Sequence, residues 1–132
     1  MSLDIKAIEL VENGGPEKMI FRDLNLSDPQ SKQVTVNHTF IGLNYIDTYH
    51  RSGLYPLKLP SGLGMEASGI VVKKNEDVDE FNIGDRVTYV MAIGSYSTHR
   101  NIEVDKLVKI PDDITDEQAS AIMLKGMTVE YL

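Results

Sequence analysis

Cysteine is missing from all 132 residues, which removes disulfides, thiolate zinc sites and thiol nucleophiles at once. Long apolar runs are missing too: nothing approaches the roughly 20 residues a membrane-spanning helix needs. The first ten residues, MSLDIKAIEL, lack the basic start and apolar stretch of a secretory signal, so a cytoplasmic protein is expected. Positive charge is in short supply, with 13 Lys and Arg against 20 Asp and Glu and a net charge of −7. Such a surface repels a phosphate backbone, so neither nucleic acid nor a membrane is expected as a partner. Histidine is scarce: His38, His50 and His99 show no metal-binding spacing and read as packing or surface residues. Repeats, low-complexity segments and domain-sized linkers are also lacking. Two N-x-[ST] sequons, at Asn25 and Asn37, read as chance matches without a secretion signal.

What is present fits one soluble globular domain, with 42% hydrophobic and 25% charged residues. The acidic stretch Asn75 to Glu80 reads as a solvated loop. Most of the chain divides into short strands separated by turn residues. Lys6 to Glu12 is closed by the turn Asn13-Gly14-Gly15-Pro16, and MIFRDL follows. QVTVNHTFIGL sets Val34, Val36, His38 and Phe40 on one face at period two; RVTYVM does the same with Val87, Tyr89 and Met91. GIVVKK, SYSTHRNIEV and KLVKIP add further strands. Six or more short strands broken by Gly and Pro predict a barrel or sandwich. After Pro111 the pattern changes. Thr115 with Gln118 forms a capping-box pair, and Ala119, Ile122, Met123 and Met127 share a helical face. Gly126 is expected to interrupt this helix and Thr128 to cap a second one.

One loop carries a deceptive motif. GLGMEA, from Gly62 to Ala67, fits the dinucleotide fingerprint G-x-G-x-x-[G/A]. That fingerprint needs a strand before it and a helix after it, whose free N–H groups receive the phosphate. Here Pro56 and Pro60 precede the glycines and the strand Gly69 to Val72 follows. The context is inverted, so the glycines are expected to serve the path of the chain, not a phosphate.

Six segments, in order and with matching spacing, are similar to one known family: GLNYID (42–47), RSGLYP (51–56), GME (64–66), FNIGDRV (81–87), GSYS (94–97) and LKGMT (124–128). Together they resemble the medium-chain dehydrogenase/reductase superfamily, and within it the zinc-independent quinone oxidoreductases, from about Ile5 to Leu132. The resemblance implies a mainly β fold with short helices: a GroES-like, partly open β-barrel with an α-helix at its C-terminal end. It implies a GroES-like catalytic domain over residues 1–124, and over 125–132 the start of a nucleotide-binding domain. Asn44 stands where zinc-dependent relatives carry Cys, and Met65 where they carry His. Neither is a fitting zinc donor, so no zinc is expected.

The implied activity is NADPH-dependent reduction of a quinone or conjugated carbonyl, the nicotinamide supplying hydride while the protein supplies position and dielectric. Asn44, Tyr45, Ile46, Asp47, Thr48 and Tyr49 resemble the segment lying against the nicotinamide. Asn44 is expected either to bond the ribose or substrate carbonyl, or to serve as a turn residue bonding its own backbone. For Asp47 helix capping is the favoured role, with acid catalysis a minor one. Tyr49 contacts the cofactor or simply packs. Tyr55 resembles the tyrosine lining the substrate side; it either stacks on a flat ring and donates a hydrogen bond or is a rim aromatic. Thr128 and Tyr131 match positions near the cofactor; Lys125, just before them, reads equally as a solvated helix residue. Glu66 is expected to be structural, satisfied by backbone donors or an arginine.

The last segment, TVEYL, ends on apolar residues just inside a new helix, so the chain looks cut and is expected to be inactive alone. A homodimer is expected for the full-length protein. Two rivals stand beside this reading: an enoyl or alkenal reductase of the same superfamily, and a non-catalytic β-barrel interaction module. Whether a Gly-rich βαβ pattern or a stop codon follows Leu132 in the gene separates the module from the enzymes.

Overall fold

The turn at Asn13 to Pro16 folds the first two strands, β1 (Leu3–Leu10) and β2 (Met19–Leu26), into an antiparallel hairpin. The computed structural model describes residues 2–131. Further strands follow: β3 (Gln33–Ile41), β4 (Ser61–Gly62), β5 (Glu66–Lys74), β6 (Arg86–Val90), β7 (His99–Glu103) and β8 (Val108–Lys109). The described residues also form two α-helices, α1 (Tyr45–Ser52) and α2 (Asp116–Tyr131). The strands form a three-stranded sheet, β2-β1-β4, and a five-stranded sheet, β7-β3-β5-β6-β8. The sheets are not closed on one another. They meet at an antiparallel bridge between Ala7 and Ser97, flanked by 2.8 Å bonds from Ile8 N–H to the Tyr96 carbonyl and from Thr98 N–H to that of Lys6. The mainly β, partly open architecture is the one expected.

The core is made where β3, β5, β6 and β7 turn their β-branched side chains inward. Val34, Val36, Val71, Val87 and Ile102 are fully buried around the ring of Tyr89. Burying one such side chain stabilises the fold by about 1.5–3 kcal/mol. The period-two face of β3 holds for Val34 and Val36 but fails at Phe40, which is 42% exposed. The register shift in the β3–β5 pairing between His38 and Phe40 is the reason: Thr39 is the extra residue on β3, and a bulge there turns the side chain that follows. Met91, placed inward by the sequence pattern, is 60% exposed, because β6 ends at Val90 and Met91 adopts a left-handed φ of 62°. The strand expected over SYSTHRNIEV shortens to β7, with residues 95–98 crossing between the sheets.

A two-residue strand, β4, leads into the motif, which the prolines did not suggest, but the strand β5 and not a helix follows it, as expected. Gly64 has φ +92°, and a Cβ there would lie 2.1 Å from Ser95 Oγ. The glycine is a packing requirement.

The capping box at the head of α2 is formed: Thr115 N–H donates to Gln118 Oε1 at 3.0 Å, and Gln118 N–H to Thr115 Oγ1 at 3.1 Å. Two expectations about α2 need correction. Gly126 does not interrupt it and Thr128 does not cap a second helix; instead the Thr128 hydroxyl donates to the Leu124 carbonyl at 2.8 Å, inside one continuous helix. The inward stripe is also rotated. Ala119 and Ser120 are buried and Met123 and Leu124 half-buried, whereas Ile122 and Met127 face outward. Polar anchors set that register: Ser68 Oγ donates to the Asp116 carbonyl at 2.7 Å, and Arg86 pairs with the Asp116 carboxylate at 2.8 Å.

Candidate functional site

Helix α1 is capped by Asn44 at its start and by Gly53 at its end, whose left-handed φ of 90° lets its N–H reach the Tyr49 carbonyl at 3.1 Å. Asp47 sits in the first turn. Its Oδ2 accepts the Asn44 N–H at 3.1 Å, the capping geometry anticipated, and also the Tyr96 hydroxyl at 2.5 Å. Burial first, and the Asp47 carboxylate second, push the Tyr96 phenol far above its ordinary range, so it keeps its proton as a donor. Asp47 is only 5% exposed, and its second oxygen, Oδ1, has no hydrogen-bond partner among the described residues.

A cleft of about 350 Å³ opens beside this turn. Met19, Leu43 and Leu63 give it an apolar wall, and the rings of Tyr45 and Tyr96 border it. Asn44, Asp47, Thr48 and Arg51 bring the polar groups, with Arg51 held by a 3.2 Å bond from its Nε to the Gly14 carbonyl.

Behind the cleft lies a second arrangement, around Glu66. This carboxylate has 0% exposure. Its Oε1 accepts from Asn44 Nδ2 at 2.9 Å and its Oε2 from the Leu124 backbone N–H at 2.7 Å. Lys125 Nζ donates to Asn44 Oδ1 at 3.2 Å and stands 3.9 Å from Glu66 Oε1. Glu66 is thus satisfied by a backbone donor, as expected, but by the Asn44 amide and not by an arginine. Lys125 is engaged with the site instead of being merely solvated.

Of the candidate residues, the fold brings Asn44, Tyr45, Asp47 and Thr48 together in the cleft wall. Tyr49 and Tyr55 do not line it. They extend a run of rings from Tyr45, with centroids 5.3 Å apart for Tyr45 and Tyr49 and 5.2 Å for Tyr49 and Tyr55. Ile46 is half-buried outside the cleft. Thr128 and Tyr131 lie on the outer part of α2, where Tyr131 is 92% exposed. Five lining residues were not among the sequence candidates: the apolar Met19, Leu43 and Leu63, and Arg51 and Tyr96. Arg51 carried a signal, four positions after Asp47 on one helical face. Tyr96 lay within the resembling segment GSYS, but nothing local assigned it to the cleft, since it enters from the crossing between sheets. Among the described residues, no group of three or more His, Asp or Glu is placed to hold a metal ion, and no helix is long and apolar enough to cross a membrane.

Two unclosed antiparallel sheets, with a short capped helix beside a cleft and a long helix laid on the larger sheet, define a GroES-like architecture. The family model for the alcohol dehydrogenase GroES-like domain matches residues 30–112, and the chain belongs to that family. The quinone oxidoreductase of Pseudomonas aeruginosa is 47% identical over 129 residues, covering 96% of this chain and 40% of the relative. A 2-haloacrylate reductase from Burkholderia is 36% identical over 135 residues, covering 97% of this chain and 40% of the relative. The crystal structure of Escherichia coli quinone oxidoreductase complexed with NADPH superimposes with a TM-score of 0.91 at 47% identity, covering 96% of this chain and 39% of that one. The chain therefore spans about 40% of the length of the curated relatives it matches.

Proposed function

We propose that this chain is the catalytic, substrate-side domain of an NADPH-dependent quinone oxidoreductase that reduces a quinone or related conjugated carbonyl without a metal. The observation that carries the reading is the cleft, where apolar side chains and phenol rings face an amide, a hydroxyl and a buried carboxylate. A cavity of about 350 Å³ is within the range of small-molecule sites, about 300–1,000 Å³. The buried, unpartnered Asp47 Oδ1 fits a sugar hydroxyl or carboxamide N–H of the nicotinamide end. Bound NADPH would supply the hydride. The chain's own residues orient and stabilise. Tyr45 and Tyr96 offer faces and edges to a flat ring, and Asn44 Nδ2 has a hydrogen available for an oxygen that gains charge. Met19, Leu43 and Leu63 offer an apolar wall to the ring. A carboxamide at 44 and a thioether at 65 are poor zinc donors, which favours metal-free chemistry.

The names of the relatives support the substrate class, and the E. coli relative's NADPH supports the cofactor. On this reading Tyr49 and Tyr55 form an aromatic lip on the substrate side, Ile46 backs the nicotinamide segment, and Thr128 and Tyr131 meet the cofactor from a nucleotide-binding domain that starts near residue 125. The turnover of burial along α2, inward up to Leu124 and outward from Lys125, supports that boundary. A cytoplasmic homodimer formed through the added domain, without nucleic acid or membrane partners, completes the proposal. The Burkholderia relative favours a second reading, reduction of a carbon–carbon double bond conjugated to a carbonyl.

The test is a chimera in which residues 1–124 replace the matching segment of the E. coli relative. NADPH oxidation is followed with several quinones and, in parallel, with conjugated enoates. Quinone-dependent turnover is expected. A folded chimera active only on enoates moves the assignment to the second reading, and one inert to both defeats the proposal.

A further inference from the structure

We infer that Glu66 is a positioning residue: its buried carboxylate decides which edge of the Asn44 amide the cleft meets, and the same group holds α2 at Leu124. The inference about geometry stands on the contacts alone; only the identity of the ligand rests on the function proposed above.

A carboxylate without exposure is costly unless its oxygens find donors. Glu66 finds one for each oxygen, Asn44 Nδ2 at 2.9 Å and the Leu124 N–H at 2.7 Å. The approach depends on Gly42, where a Cβ would lie 2.3 Å from Glu66 Cγ. The two edges of an Asn side chain have the same shape and opposite chemistry, NH₂ donating and oxygen accepting. A carboxylate only accepts, so Nδ2 must turn to Glu66. Oδ1 is then left for Lys125 Nζ, 3.2 Å away, which only donates. Both neighbours select one orientation, because a flipped amide would set oxygen against carboxylate and NH₂ against ammonium. Lys125, 61% exposed, contributes through screened charge and so acts as the weaker partner. The cleft therefore meets, at Asn44, the Nδ2 hydrogen that Glu66 does not take, and an oxygen already engaged by a cation.

The second oxygen reaches across to α2. Leu124 closes the part of that helix that packs inward, and beyond it every described residue is exposed. One side chain thus links the amide edge in the cleft to the seat of the helix.

The chain as it stands permits the test by NMR. In Glu66→Gln the introduced carboxamide has one accepting and one donating edge, and cannot serve both donors. Exchange of the Asn44 side-chain amide or the Leu124 N–H should accelerate about tenfold, the effect of losing one hydrogen bond. The double variant N44D/E66Q moves the carboxylate to the other side of the same contact, so each donor again has an acceptor. It should restore protection at Leu124 while removing the donor edge from the cleft, and weaken the shifts that added NADPH causes at residues 44–49 about tenfold. A merely structural Glu66 predicts that E66Q, with Asn44 intact, shows NADPH-induced shifts at residues 44–49 like those of the parent. That result overturns the inference, as does an E66Q chain with unchanged exchange at both groups. If E66Q does not fold, a folded double variant supports the coupling and an unfolded one refutes it. If NADPH causes no shifts in the parent, the binding comparison is read in the chimera carrying the same substitutions, while exchange in E66Q still decides the positioning role.

Discussion

The imidazole of His38 is wedged between an acceptor and a phenol. The Ser97 carbonyl, 2.8 Å from Nδ1, can only accept, so Nδ1 carries the hydrogen and Nε2 accepts from the Tyr89 hydroxyl at 2.8 Å. Burial raises the Tyr89 phenol above its usual range, which keeps that donor protonated. Burial likewise lowers the His38 pKa from 6.5 to about 4, with the Arg100 charge acting in the same direction. Between those two values the unfolded chain binds a proton that the folded chain refuses. This contribution to stability is complete above about pH 6.5 and is lost as pH falls towards 4, by up to about 1.4 kcal/mol per pH unit. Urea unfolding from pH 4 to 7 should give a shallower slope for His38→Gln than for the parent, whose remaining acid response comes from carboxylates. Equal slopes would show that His38 is not the group responsible. The sequence placed His38 on the inward face of a strand, and no more: its tautomer depends on Ser97 and Tyr89, which are distant in the chain.

Among the elements, α2 shows best where pattern reading stops. Its start was legible, because the Thr115–Gln118 pair acts within three residues. Its continuity was not, because a glycine lowers helix stability without forbidding the helix. Nothing lies within 4 Å of a Cβ built on Gly126, which is exposed. Gly126→Ala should therefore raise unfolding stability by about 0.5–1 kcal/mol and strengthen the helical circular dichroism signal. A drop in either would mean that α2 does not run unbroken through this position. The inward stripe was misread for a related reason. Hydrophobicity favours Ile122 and Met127, but the helix is held by Asp116 and by the Leu124 N–H, a polar side chain and a backbone group that a moment of apolar residues does not register. Strand β3 errs in the same way at Phe40, where a ladder irregularity overrides the alternation.

At the scale of the molecule, stability rests on the larger sheet closing over its own core. Ile102 on β7 is fully buried and stands opposite Val34 of β3. Ile102→Ala should cost about 2–5 kcal/mol, through the lost transfer energy and the cavity left behind. The midpoint of urea unfolding should fall with little change in its slope. A loss well below that range would mean that β7 collapses into the space, and that the edge of the sheet is softer than its packing indicates.

The 132 residues by themselves determined the strand-rich class, the start of α2 and the rejection of the phosphate motif, because all of these follow from alternation, caps and turn residues acting over a few positions. Tertiary structure alone decided that Tyr96 reaches Asp47 from 49 positions away, that Glu66 gathers Asn44 and Leu124 on one carboxylate, and which face of α2 lies against the sheet. Those choices arise from buried polar groups seeking partners. Such partners are set by how the two sheets meet in space, and chain-local patterns hold no record of that.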